Sequence, residues 1–188
     1  MDVTIPYTPR KQQAFIHTEL EKKRFSVLCC HRRFGKTVML INHLIKCCMT
    51  NQNHAPRFAY IAPTYSQAKK IAWDYLKFYT KGLPQTKYNE TELRADFFNG
   101  SRIQLLSAEN PDSIRGIYLD GVVCDEASQI NRELVDEVLR PALSDRKGWM
   151  TLCSTPKGMN NIFYELYLKA QSDKDWFLYT AKASETGL

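Results

Sequence analysis

The stretch Phe25-Ser-Val-Leu-Cys-Cys-His-Arg-Arg-Phe-Gly-Lys-Thr37 constrains the fold more than any other part of the chain. It is a short apolar run that enters a basic loop closed by Gly35-Lys36-Thr37, and the residues beyond recur as apolar at helical spacing. A strand of this kind carries the backbone to the edge of a buried sheet. The loop's N–H groups then turn inward, and a helix starts at Thr37 with its positive dipole end toward an anion. In that arrangement Lys36 reaches the β- and γ-phosphates of ATP and the Thr37 hydroxyl holds Mg²⁺. The candidate phosphate-binding set is Cys30, His31, Arg32, Arg33, Phe34, Gly35, Lys36 and Thr37. The usual Gly-x-x-x-x-Gly-Lys-Thr pattern has glycine where this chain has Cys30, so the loop's entry must fit a residue with a Cβ. A Gly-Lys-Thr triplet alone also closes ordinary loops; its place between an apolar strand and a periodic helix makes it specific here.

The remaining chain alternates strands with helices. A helix is expected over Thr8–Lys23, then the loop strand, then a helix from Thr37 to about Met49 with Val38, Leu40, Ile41, Leu44 and Ile45 inward. Phe58–Ala62 reads as a buried strand stopped by Pro63, and Ser66–Tyr79 as a helix whose aromatics belong to the core. Leu93–Phe98 and Arg102–Leu106 flank Asn99-Gly100, a strong hairpin signal that breaks the alternation and predicts an antiparallel extension of the sheet. Further strands are expected at Gly121–Asp125, Trp149–Ser154 and Trp176–Ala181, with helices at Arg132–Leu139 and Asn160–Ala170. The expected architecture is a mostly parallel α/β sheet flanked by helices, in one domain over residues 1–188.

Composition narrows the class but not the function. With 44% hydrophobic and 24% charged residues in 188, the chain can bury a core unaided. No stretch approaches the roughly 20 apolar residues of a membrane span, and Met-Asp-Val-Thr-Ile-Pro carries no signal-peptide pattern, so an intracellular protein is expected. Its six cysteines, Cys29-Cys30, Cys47-Cys48, Cys124 and Cys153, include no Cys-x-x-Cys and read as small hydrophobes rather than metal ligands. A net charge of +6 suits a polyanionic partner without choosing between nucleotide and nucleic acid.

Two further strand tips carry chemistry. Val122-Val-Cys-Asp-Glu-Ala127 delivers Asp125 and Glu126 to the carboxyl edge of the sheet, where ligands of α/β folds collect. Asp125 then serves the Mg²⁺ shell, and Glu126 acts as general base toward the attacking water. Adjacent acidic residues also suit a helix N-terminus, but following an apolar strand downstream of a nucleotide loop they point to catalysis. Met150-Thr-Leu-Cys-Ser-Thr-Pro156 places Ser154 and Thr155 at the next tip, where hydroxyls can bond the γ-phosphate or water.

Taken together, His31-Arg-Arg-Phe-Gly-Lys-Thr37, Tyr60-Ile-Ala-Pro-Thr-Tyr-Ser-Gln-Ala68, Ile114-Arg-Gly116, Val123-Cys-Asp-Glu-Ala127, Arg140-Pro-Ala-Leu-Ser-Asp145 and Ser154-Thr-Pro-Lys-Gly158 resemble the large terminase subunits of tailed bacteriophages. The resemblance implies a P-loop NTPase domain of the additional-strand (ASCE, RecA-like) type that hydrolyses ATP to drive double-stranded DNA into a procapsid. It further implies that the Ser154 strand lies between the loop strand and the Asp125 strand, setting Thr155 beside the γ-phosphate. An activating arginine is implied among Arg32 and Arg33 in cis and Arg115 in trans, and an adenine contact at Gln12 or, with less support, Gln13. Arg115, in Asp112-Ser-Ile-Arg-Gly116, also reads as a solvated charge or salt-bridge partner. Implied partners are a homo-oligomeric ring, a portal protein and a small terminase subunit, in the cytoplasm of an infected bacterial host. The family's nuclease domain is not expected within these residues. The competing readings are a helicase-like P-loop translocase, which needs a second RecA-like domain, and a non-catalytic nucleic-acid-binding module, suggested by Cys30 and the basic charge.

Overall fold

Apolar runs too short for helices and bounded by turns become the strands of one sheet, and their register decides which residues meet at its carboxyl edge. The computed structural model describes residues 4–186. The strands are β1 (Phe25–Cys30), β2 (Arg57–Ala62), β3 (Lys87–Asn89), β4 (Arg94–Asp96), β5 (Arg102–Ser107), β6 (Gly121–Asp125), β7 (Trp149–Ser154) and β8 (Trp176–Ala181). They lie in the order β3-β4-β5-β2-β6-β7-β1-β8. From β5 to β8 all neighbours are parallel, whereas β4 pairs antiparallel with both β3 and β5. The hairpin extension at Asn99-Gly100 and the placement of β7 between β6 and β1 are as expected. Strand β3 was not anticipated, because Lys-Tyr-Asn carries no apolar alternation; it is a strand only through its pairing with β4.

Alternate side chains of the inner strands serve two cores, which is why these strands read as unbroken apolar runs. Leu28, Phe58, Tyr60, Val123 and Cys153 face one layer, built on α1 (Lys11–Leu20), α2 (Lys36–Thr50) and the helix around Trp73. Val27, Ile61, Val122, Cys124 and Leu152 face the other, with Leu134, Leu139, Phe163 and Leu166. Fully burying one such aliphatic side chain contributes about 1.5–3 kcal/mol.

Helices depart from expectation where local chemistry intervenes. The first begins at Lys11, since Pro9 biases Thr8 away from helical backbone. The helix expected over Ser66–Tyr79 is α3 (Tyr65–Gln67), a π-helical turn at Ala68–Ala72, and α4 (Trp73–Thr80). It buries only the stripe Ala68, Ala72, Trp73, Leu76 and Thr80, while Ile71, Tyr75 and Phe78 stay exposed rather than joining the core. A second π-helical turn, Leu134–Leu139, runs into α5 (Arg140–Ser144), so the helix passes the expected stop at Leu139. Pro141 lacks an amide hydrogen, and the wide turn ahead of it absorbs the missing bond. The last two helices are α6 (Ile162–Ser172) and α7 (Ala183–Thr186). Among the described residues no helix is long and apolar enough to cross a membrane, and none of the six cysteines is disulfide-bonded.

Candidate nucleotide site

Strand β1 ends at Cys30, and the chain turns through His31–Gly35 into α2 at Lys36. Two residues make the turn possible: Arg33 at φ 69° and Gly35 at φ 81°, both left-handed. Gly35 has a further reason to lack a Cβ, since one built there would lie 3.0 Å from both Arg10 Nη2 and Gln13 Nε2. Cys30 is fully buried in extended strand conformation, so the missing glycine costs nothing at that position. The loop is tied down by His31 N–H donating to the Ala181 carbonyl at 3.2 Å and Gln13 Nε2 donating to the Phe34 carbonyl at 3.1 Å. The Phe34 side chain is buried, anchoring the loop.

The carboxyl edge then brings distant residues together. Thr37 Oγ1 donates to Asp125 Oδ2 at 2.6 Å, across 88 positions of sequence. The Tyr60 hydroxyl donates to the same oxygen at 2.6 Å, and the Glu126 amide to Oδ1 at 3.0 Å. Burial and the neighbouring carboxylate push the Tyr60 phenol well above its usual range, which keeps it a donor. Lys36 Nζ lies 3.5 Å from the His31 carbonyl and 3.7 Å from Glu126 Oε1. Glu126 itself holds a left-handed φ of 49°, an unfavourable conformation for a residue with a Cβ, of the sort found at functional sites. Its other oxygen accepts from Thr155 Oγ1 at 3.4 Å.

Thr37, Tyr60, Asp125, Glu126 and Thr155 line a cleft of about 630 Å³ together with His31 and Arg32; Cys30, Phe34, Gly35 and Lys36 are not in its lining, and buried Lys36 meets it through Glu126. The cleft's size is that of a small-molecule site, and cations stand beside two carboxylates as a polyphosphate with a hard metal would require. Thr37 and Asp125 supply oxygen donors of the type Mg²⁺ takes. No cluster of three or more His, Cys, Asp or Glu able to hold a metal by itself occurs among the described residues.

Not every predicted residue reaches the cleft. Ser154, expected at the phosphate, is fully buried; its hydroxyl donates to Ser128 Oγ at 2.8 Å and accepts from the Ser128 amide at 3.3 Å, so it shapes the turn after Glu126. Arg33 is outside the lining and contributes its left-handed backbone. Of the two glutamines, buried Gln13 engages the loop, whereas Gln12 does not line the cleft. Arg115 is exposed outside it, held by Asp112 at 2.7 Å, Glu133 at 3.2 Å and Glu137 at 3.9 Å. Sequence reasoning missed Tyr60, Gln67, Ile71, Gln129 and Lys157, all of which line the cleft. Tyr60 alone gave a legible signal: a hydroxyl in the middle of a doubly buried strand needs an acceptor.

Comparisons with known proteins identify the family of the chain. Residues 31–185 match the family model described as terminase large subunit, T4likevirus-type, N-terminal. The chain is 30% identical over 181 residues to the large terminase subunit of Thermus phage G20c, covering 86% of this chain and 36% of that protein. It is 31% identical over 167 residues to that of Escherichia phage T5, covering 85% and 37%. The chain therefore spans little more than a third of these relatives. Among solved structures it is similar to the large terminase ATPase domain of Thermus phage P74-26, with a TM-score of 0.80, 25% identity, and 96% of this chain and 84% of that one covered.

Proposed function

Because this chain belongs to the phage large terminase family through its N-terminal region, we propose that it binds ATP in the cleft at the carboxyl edge of the sheet and hydrolyses it to move double-stranded DNA. The observation that carries the reading is the convergence of Lys36 and Thr37 with Asp125 and Glu126, at 2.6 Å for Thr37–Asp125 and 3.7 Å for Lys36–Glu126. The loop amides and the α2 dipole receive the phosphates. Lys36 binds the β- and γ-phosphates, exchanging its contact with Glu126 for the more highly charged ligand. Thr37 and the Asp125 shell would hold Mg²⁺ together with the phosphates, and the ion would supply charge neutralisation at the transferred group. Released from Lys36, Glu126 accepts a proton from water as that water attacks the γ-phosphorus and the bond to ADP breaks. Thr155 donates to Glu126 and aims it at the water. Arg32, on the cleft wall, offsets transition-state charge in cis, and Arg115 does so for a neighbouring subunit of a ring.

In this reading the ring assembles with a portal protein and a small terminase subunit in the cytoplasm of the infected host, and the residues described form the ATPase domain. Family membership supports this reading over the helicase-like translocase and the non-catalytic module. Glu126→Gln gives the test, being near-isosteric but unable to act as a base. The variant should retain Mg²⁺–ATP binding and lose roughly 10²–10⁴-fold in phosphate release, whereas Lys36→Ala should lose binding itself. Turnover by Glu126→Gln at the parent rate would overturn the assignment.

A further inference from the structure

Asp125 receives three hydrogen bonds from three parts of the fold. Oδ2 takes the hydroxyls of Thr37, from α2, and Tyr60, from β2, each at 2.6 Å, and Oδ1 takes the Glu126 amide at 3.0 Å. A carboxylate has about four lone-pair sites. Two are filled on Oδ2 and one on Oδ1, so the remaining site is on Oδ1. Thr37 is one of the donors, and in the reading above its hydroxyl oxygen would also help to hold Mg²⁺. The Tyr60 donor comes from the core of the sheet. Its ring is 3% exposed and fixed in the layer beneath α2, and its backbone is registered against Val123, two residues before Asp125 on β6. An aliphatic residue would serve this core position without a polar atom to satisfy, whereas a phenol hydroxyl buried without an acceptor is destabilising.

We propose that Tyr60 is a positioning residue for the metal shell: its hydroxyl locks the plane of Asp125 so that the free Oδ1 lone pair stays available to the shell of a bound Mg²⁺. This rests on the reading of Asp125 as a metal-shell carboxylate given above. Outer partners of metal-site carboxylates act by fixing orientation, and their removal costs roughly 10–100-fold in metal affinity or activity. Tyr60→Phe keeps the ring and removes only the hydroxyl.

The test measures binding of a fluorescent, non-hydrolysable ATP analogue to the parent and to Tyr60→Phe, each with Mg²⁺ and with EDTA, after circular dichroism confirms that both are folded. The expected result is that Tyr60→Phe raises the Mg²⁺ concentration for half-maximal binding roughly 10–100-fold and leaves binding in EDTA unchanged. Equal losses with and without Mg²⁺ would mark Tyr60 as a packing residue and overturn the proposal, as would no loss. Binding by the parent that ignores Mg²⁺ would overturn the reading of Asp125 and the proposal with it, and is distinguishable because it appears before any substitution. A cycle with Asp125→Asn supplies the second measurement. If Tyr60 acts through Asp125, the double variant should bind Mg²⁺–analogue no more weakly than Asp125→Asn alone; fully additive losses would exclude that route.

Discussion

Gly35 shows how much one residue decides. It is required twice, by its left-handed φ of 81° and by the approach of Arg10 and Gln13 to within 3.0 Å of any Cβ. Gly35→Ala should therefore cost about 1–2 kcal/mol from backbone strain alone, and about 2–4 °C in melting temperature for each kcal/mol in a chain of this size. It should also weaken nucleotide binding, because the strained turn sets the direction of the loop amides. Calorimetry and ligand titration on the same variant check both, and an unchanged affinity would show that the loop tolerates another path. The glycine, Lys36, Thr37, Asp125 and Glu126 were all readable from sequence, since each sits at a fixed offset from the end of an apolar run. Ser154 was misplaced because a strand-tip hydroxyl can point either way, and only the Ser128 turn packed beside it decides.

At the scale of elements, the glycine junction between α5 and β7 offers a contrast. A Cβ at Gly148 would fall 2.4 Å from the Leu119 carbonyl and 2.7 Å from Leu143 Cδ2. The junction lies at the amino end of β7, opposite the strand tip that carries Thr155. Gly148→Ala should overpack the site by roughly 1–3 kcal/mol and lower the melting temperature accordingly, while leaving nucleotide affinity intact, so the two glycine variants separate stability from function. A loss of affinity in Gly148→Ala would show that strain travels the length of β7. Strand positions were legible because period-2 burial on both faces leaves an unbroken apolar run. The two π-helical turns were not: each adds a residue to a turn, and the pattern of apolar residues alone does not reveal where the extra residue is accommodated.

Two predictions belong to the whole molecule. The first concerns Arg115, which is outside the cleft and held by three exposed carboxylates; exposed pairs of this kind contribute about 0–1 kcal/mol, little enough for a neighbour's triphosphate to draw the guanidinium away. Arg115→Ala should leave ATP affinity nearly intact and remove assembly-dependent turnover. Mixed under assembling conditions with Glu126→Gln, it should regain part of the activity, since one variant keeps the arginine and the other keeps the base. A mixture as inactive as its components, with assembly verified by light scattering, would count against an arginine acting in trans.

The second concerns acid stability. His17 and His43 stack at 5.3 Å, with Tyr7, Cys47 and Lys46 around them, and burial lowers their pKa values from 6.5 to about 4 and about 3. As pH falls through 6.5 the unfolded chain takes up protons that the folded chain refuses, so stability is lost on acidification until the folded values are passed. Urea midpoints should fall between about pH 6.5 and pH 5, above the range where most carboxylates titrate. The double variant His17→Gln, His43→Leu should flatten that slope. The parent's slope persisting in the variant would place the effect elsewhere.

The sequence by itself determined the strands of the parallel sheet, the loop that Gly35-Lys36-Thr37 closes and the two carboxylates at the carboxyl end of β6, because these depend on local spacing and on which residues must leave water. It did not determine which side chains meet. That Thr37 and Tyr60 share one oxygen of Asp125, that Glu126 rests between Lys36 and Thr155, and that Gln13 rather than Gln12 holds the loop follow from strand order and helix placement. Those contacts join residues tens of positions apart, and their geometry is set by packing both faces of the sheet at once, a condition that no local pattern contains.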